Sequence, residues 1–197
     1  MQIEYEATYP NVDKNDIRQK LKSVGAILAR SEYIQKRVVF NLPEYVNVKG
    51  GWLRVRDEGN RITMSLKIVD GKGIESQREV LLQVDNFNNA EEILTLLGAP
   101  KKAYQENKRE LWKLNGVEIT IDEWPFLEPF VEVEGNSEEA VKKASEVLGF
   151  NYSEALFCSV TTLYSRKYQL PEATINNDVP KIIFDMENPF IRKYLTY

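Results

Sequence analysis

Apolar and polar residues alternate at a period of two along most of this chain. Gly- and Asn-containing turns separate those runs, and three segments carry helical spacing instead. These observations predict an α+β fold, an eight-stranded antiparallel β-barrel with helices packed outside it.

Taken in order, Ile3-Glu4-Tyr5-Glu6-Ala7 is a strand with Glu4 and Glu6 on one face. Asp13 caps a helix whose Ile17, Leu21 and Val24 share a face before Gly25 ends it. Strands follow at Tyr33–Asn41, Trp52–Asp57 and Arg61–Ile68, the last two joined by the turn Asp57-Glu58-Gly59-Asn60. Leu53 and Val55 oppose Arg54 and Arg56, and Thr63, Ser65 and Lys67 form the polar face of the next strand. After the strand Gln77–Val84, a helix starting near Asp85 or Asn86 aligns Phe87, Ala90, Ile93, Leu94 and Leu97.

Asn115-Gly116 supplies the two positive-φ residues of a tight hairpin between the strands Lys108–Leu114 and Val117–Glu123. Val131-Glu132-Val133-Glu134 is the last strand, and Ser137 starts a third helix through Val141, Ala144, Val147 and Leu148 to Gly149. A short helix is expected over Ser153–Tyr164. The expected organisation is one domain over residues 1–170 and an extension over 171–197. In the extension, Glu172–Pro180 reads as loop, and Asn188-Pro189 opens a closing helix to Tyr197. Its apolar residues Phe190, Ile191, Tyr194 and Leu195 suit packing on the body or on a second subunit, so a homodimer is one expectation.

The chain has 197 residues and no histidine, which excludes Ser-His-Asp and Cys-His catalysis and His-ligated zinc. Cys158 stands alone and reads as a small buried hydrophobe, and the lack of any disulfide partner favours a cytoplasmic location. A net charge of −4 argues against general nucleic-acid binding. No apolar run is long enough to span a membrane.

Chemistry therefore rests on carboxylates, amines, guanidiniums and metal. The charges segregate by strand: Glu4, Glu6, Glu132, Glu134 and Asp122 are anionic, against Arg54, Arg56, Lys67 and Arg109, with Arg78 a further candidate. A solvated sheet face would mix signs within a strand. Carboxylates that converge need a cation between them, and hard oxygen ligands suit Mg²⁺ or Mn²⁺. Guanidinium forks match phosphate oxygens. No Walker-type Gly-x-x-x-x-Gly-Lys loop is present.

With these residues in this order the chain resembles the CYTH-domain proteins, or triphosphate tunnel metalloenzymes. The group includes class IV adenylate cyclases, thiamine triphosphatases and inorganic or RNA triphosphatases. The resemblance runs through about residues 1–168. It is carried by Ile3-Glu4-Tyr5-Glu6-Ala7-Thr8, Trp52-Leu53-Arg54-Val55-Arg56, Leu66-Lys67, Gln77-Arg78-Glu79, Asn107-Lys108-Arg109-Glu110-Leu111-Trp112, Val117–Asp122 and Phe130–Glu134.

The resemblance implies a charged tunnel in which Glu4, Glu6, Glu132, Glu134 and Asp122 hold Mg²⁺ or Mn²⁺, with Glu4, Glu6 and Asp122 taking part in catalysis. It also implies that Arg54, Arg56, Lys67, Arg109 and Arg78 bind the triphosphate. Two positions depart from the family pattern. Thr8 replaces the lysine of Glu-x-Glu-x-Lys, and Asn107 replaces the first cation of a Lys-x-Arg pair. If Arg109 faces inward, so does Asn107, while Lys108 faces out.

The leading expectation is metal-dependent hydrolysis of the γ-phosphate of tripolyphosphate, ATP or thiamine triphosphate. One alternative is a cyclase making cyclic AMP and pyrophosphate from ATP. Another is a catalytically silent module that binds polyphosphate or nucleotide. Tyr33, Trp52, Trp112 and Trp124 are candidates to stack on a substituent, against the commoner packing role of strand aromatics.

Overall fold

A computed structural model of the protein describes residues 1–192. The N-terminal segment is split at Glu4 into β1 (Gln2–Ile3) and β2 (Tyr5–Tyr9). Then come α1 (Lys14–Ser23), β3 (Ile27–Asn41), β4 (Gly51–Asp57), β5 (Ile62–Val69), β6 (Gln77–Val84) and α2 (Phe87–Leu96). The second half holds β7 (Lys101–Leu114), β8 (Val117–Glu123), β9 (Phe130–Gly135), α3 (Glu138–Val147), α4 (Val160–Tyr168), α5 (Glu172–Asp178), β10 (Lys181–Ile182) and α6 (Pro189–Arg192).

The sheet runs β1-β6-β5-β4-β3-β7-β8-β9-β2. Because β1 and β2 are one segment, pairing with β6 on one side and β9 on the other, the path returns on itself as an almost closed antiparallel barrel. The break at Glu4 is a seam. There Glu4 donates its amide to the Gln77 carbonyl at 2.9 Å, and beyond it Thr8 exchanges backbone bonds with Leu156 instead of β6. Asn115 and Gly116 both adopt positive φ, 51° and 82°, the I′ geometry the β7–β8 hairpin requires.

Strand alternation sends one set of side chains outward onto the helices. Ala7, Ile119, Ile121, Val131 and Val133 meet Ile17 and Leu21 of α1, Val141 of α3 and Leu148 at its C-terminal cap. Each fully buried aliphatic chain there contributes about 1.5–3 kcal/mol. Asp13 caps α1, accepting from the Asn15 and Asp16 amides at 2.8 and 3.0 Å, and Asn86 and Ser137 cap α2 and α3. Ala90 and Leu94 of α2 cover Val38, Phe40 and Val55. A third cluster joins Trp124 and Phe130 to Leu163, Tyr164, Leu170, Ile175, Val179, Ile182 and Phe190 of the C-terminal segment.

The structure extends or replaces several expected elements. β3 and β7 start six and seven residues early, and they pair along most of their length. Register shifts at Leu28/Arg30 and Arg30/Tyr33 break the period of two, which hides the start of β3 from pattern reading. The helix expected over Ser153–Tyr164 is a short 3₁₀ turn, Tyr152–Glu154, followed by α4. Glu172–Asp178 is helical instead of loop; a seven-residue helix with Ile175 as its buried residue carries no readable periodicity. The closing helix does start at Pro189, and its expected continuation through Tyr194, Leu195 and Tyr197 lies outside the described residues. Among the described residues no helix is long and apolar enough to cross a membrane.

Candidate active site

The same alternation that sends apolar residues outward directs the charged ones into the barrel. Across β2 and β9, Glu6 stands opposite Glu134 and Thr8 opposite Glu132. Arg109 on β7 stands opposite Asp122 on β8. On the facing wall, Arg54 and Arg56 of β4 stand opposite Ser65 and Thr63 of β5, with Lys67 next along that strand.

Most of these charges are paired inside the barrel. Lys67 reaches Glu4 at 2.8 Å, Arg54 reaches Glu79 at 2.9 Å and Arg56 reaches Glu58 at 2.7 Å. Arg109 bridges Asp122 at 2.9 Å and Glu132 at 2.5 Å. Asp122, with 0% exposure, also accepts from Asn107 and Thr120, each at 2.7 Å. Lys108 turns outward to Glu123, as the facing of Arg109 requires.

Arg78 does not join this set. It pairs with Ile68 on the outer face of β6, bonds Asp70 and is 38% exposed. Its neighbour Glu79 takes the inward position, because adjacent strand residues face opposite ways. Trp112 also faces out, into the α1 and α3 cluster, with its Nε1 donating to Glu110 at 2.6 Å.

Three inward residues were not singled out from the sequence. Arg37 of β3 is buried, donates to Gln35 Oε1 at 2.9 Å and to Asn107 Oδ1, and lies 4.6 Å from the Trp124 ring. It supplies a cation beside Asn107, where the Lys-x-Arg pattern is one short. The signal was present in Tyr33, Gln35 and Arg37 at a spacing of two. Glu79 could likewise have been read from its parity with Gln77. Glu58 lies in a turn, where alternation gives no direction; it is buried between Arg56 and Arg61, each at 2.7 Å.

Burial and mutual repulsion govern the proton affinities. Burial raises the Glu4 carboxyl to about 7 against the pull of Lys67. Burial, then the charges of Glu132, Glu134 and Glu4, holds Glu6 well above the ordinary range. Burial also raises Glu132, although Arg109 opposes it. Burial acts the same way on Glu79, but Lys67 and Arg54 outweigh it and bring that carboxyl down to about 2. Among the cations, burial followed by repulsion from Arg54, Arg56 and Arg109 lowers Arg37 well below the usual guanidinium range, and Arg56 falls to about 10.

A stability profile follows from these signs. Groups raised in the fold stabilise it below their unfolded pKa and lose that contribution as pH rises through the folded value. For Glu4 the window runs from 4.5 to about 7. Glu58 and Glu79 act oppositely, losing their contribution only as pH falls below 4.5. The melting temperature of the metal-free protein should therefore drop between pH 5 and pH 7.5. Glu4→Gln should flatten that drop by on the order of 3 kcal/mol. A calorimetric pH series on both proteins checks this, and a melting temperature that rises over the window would refute it.

Two kinds of ligand fit this interior. The Nε groups of Arg37, Arg54 and Arg56 are buried without a hydrogen-bond partner, a costly state that an anion with several oxygens relieves. The raised carboxyls of Glu4, Glu6 and Glu132 call for a cation of oxygen-seeking character, and Glu134 adds a fourth carboxylate. Among the described residues no three carboxylates already form a cation cage, since Glu4 turns to Lys67 and Glu132 to Arg109. The donor chemistry fits Mg²⁺ or Mn²⁺, with those two side chains released from their ion pairs.

The comparisons agree with this architecture. A conserved hypothetical protein from Pyrococcus furiosus is 23% identical with a TM-score of 0.68, covering 81% of this chain and 99% of its own. A candidate adenylate cyclase from Vibrio parahaemolyticus is 14% identical with a TM-score of 0.70, covering 83% and 98%. A candidate adenylyl cyclase from Hippeastrum, described as having a dominant triphosphatase activity, is 13% identical with a TM-score of 0.55, covering 87% and 99%. At these identities the likeness is one of fold. No curated protein matches the chain. The CYTH domain model matches residues 2–163, so this chain belongs to the CYTH family.

Proposed function

We propose that this protein hydrolyses the γ-phosphate of an inorganic or organic triphosphate with the help of a divalent cation. The observation that carries the reading is the set of buried guanidinium N–H groups without partners on Arg37, Arg54 and Arg56, inside the barrel that holds the raised carboxyls of Glu4, Glu6 and Glu132. A polyanion gripped by the first set and a cation held by the second neutralise both. The triphosphatase activity described for the Hippeastrum relative is consistent with this reading.

In this scheme Arg37, Arg54, Arg56 and Lys67 hold phosphate oxygens. Glu4, Glu6, Glu132 and Glu134 hold Mg²⁺ or Mn²⁺, and Asp122, clamped by Arg109, Asn107 and Thr120, adds its charge to that set and keeps Arg109 in place. When bound there, such a cation would polarise the phosphoryl group and offset its developing charge. Water attacks the terminal phosphorus, the bridging P–O bond breaks, and orthophosphate leaves. Asp122 or a glutamate of this set would take the proton of that water. Thr8 occupies the position of the family lysine, buried opposite Glu132 with its hydroxyl unpartnered. Lys67, held on Glu4 at 2.8 Å, supplies the ammonium on the facing wall.

Phosphorus NMR on tripolyphosphate, ATP and thiamine triphosphate with Mg²⁺ or Mn²⁺ tests the reading. Orthophosphate is the expected product. Pyrophosphate with a cyclic phosphodiester would replace hydrolysis with cyclisation, and shifts without turnover would leave a binding module. Glu6→Gln should cut turnover by about a hundredfold or more, with an unchanged or higher melting temperature because a buried carboxyl is replaced by a neutral amide. Full turnover in that variant would remove Glu6 from the site.

A further inference from the structure

We propose that two copies of this chain pair through the free edge of β6, joining their sheets across a two-fold axis at Leu82. β6 pairs with β5 along its whole length, but on its other side β1 reaches only Arg78 and Glu79. Glu4 bonds the Gln77 carbonyl there, and Gln2 stands opposite Glu79. In an antiparallel ladder every second residue turns its N–H and C=O to the same side. Leu81 and Gln83 therefore continue the series, and among the described residues no strand pairs with them on that side. Such an edge is a template for another strand.

The outer face beside this edge is apolar and uncovered. Val80 and Leu82 point outward and are 42% and 54% exposed. α2 lies over β4 and β5, and Glu91 on one of its flanks reaches Lys101 of β7 at 2.6 Å. Helical spacing puts Ile93 and Leu96 on the opposite flank, towards β6, where they are 51% and 78% exposed. An unpaired backbone and an apolar strip thus lie side by side.

A second copy of this chain is the occupant that fits both. With Leu82 on the axis, Leu81 stands opposite Gln83 of the partner subunit, and the four free backbone groups of each strand are all bonded. On the outer face Val80 meets Val84 of the partner subunit, and Leu82 meets its own counterpart. Charge favours the same antiparallel sense. The strand opens on Arg78, which is partly exposed, and leads into the exposed Asp85, while Glu79 turns inward onto Arg54. Each copy then sets its basic end beside the other's acidic end, where β1 fills the edge and the chain turns outward to α2.

Sedimentation equilibrium of the full chain tests this, and the mass of a dimer is expected. Leu82→Lys sets two ammoniums face to face on the axis and should give a monomer. Gln83→Pro should do the same, because it removes an N–H that points away from β5 and leaves that pairing intact. Circular dichroism checks that both variants are folded. In a Cys158→Ala background, Leu82→Cys should form an intermolecular disulfide on mild oxidation, since residues paired on the axis have Cα atoms about 4.5 Å apart. A native chain that sediments as a monomer, or a dimer that survives both substitutions, overturns the proposal, as does a Leu82→Cys chain that fails to cross-link.

Discussion

Replacing Arg37 by methionine should weaken tripolyphosphate binding by about a hundredfold while leaving the melting temperature unchanged or higher. The Arg37 guanidinium is buried with only the neutral acceptors Gln35 and Asn107 bonded to it, and it faces Arg54, Arg56 and Arg109. Such a charge costs folding energy that hydrogen bonds to amides do not return. Removing it orphans Gln35 Oε1 and Asn107 Oδ1, a loss of about 1–3 kcal/mol each, against the relief of a desolvated charge of several kcal/mol. Affinity behaves in the opposite way, because a phosphate oxygen loses the guanidinium that faced it. Melting curves and calorimetry on one preparation check both halves. A destabilised variant that binds normally would make Arg37 structural.

Arg109→Met should instead destabilise the protein by about 3–5 kcal/mol, a fall in melting temperature of about 10 °C or more for a chain of this size. Arg109 is also a buried guanidinium, but it bridges Asp122 and Glu132. Its loss leaves Asp122, at 0% exposure, with a charge and no counter-ion, beside Asn107 and Thr120. Adding Asp122→Asn should recover part of the loss, because the stranded charge is then absent. A single variant that melts like the native chain would show that the bridge adds no stability. The two arginines thus separate by partner: one is paired within the fold, and the other has its charge left for a ligand.

Much of the barrel was legible because strand alternation is a local property. Leu53 and Val55 against Arg54 and Arg56, or Val131 and Val133 against Glu132 and Glu134, declare two faces within four residues. The hairpin at Asn115-Gly116 was equally plain, since positive φ at two successive positions restricts the residues allowed. Alternation failed wherever geometry interrupted it. Bulges in β3 hid its start, the turn position of Glu58 gave no facing, and α5 was too short for helical spacing to show. Arg78 was misplaced by one residue of parity; the motif Gln77-Arg78-Glu79 offers a cation and an anion side by side, and only the pairing of Arg78 with Ile68 turns it outward.

By itself the sequence determined the family, the strand alternation and the segregation of carboxylates from guanidiniums, because each is written in residue type and short-range spacing. Only the tertiary structure decided which charges meet. Glu58, Glu79 and Arg37 join the interior through pairings between segments distant in sequence, and the partners that set their proton affinities come from other strands. The packing of the C-terminal segment against Trp124 and Phe130 likewise joins residues distant in sequence, which no local pattern encodes.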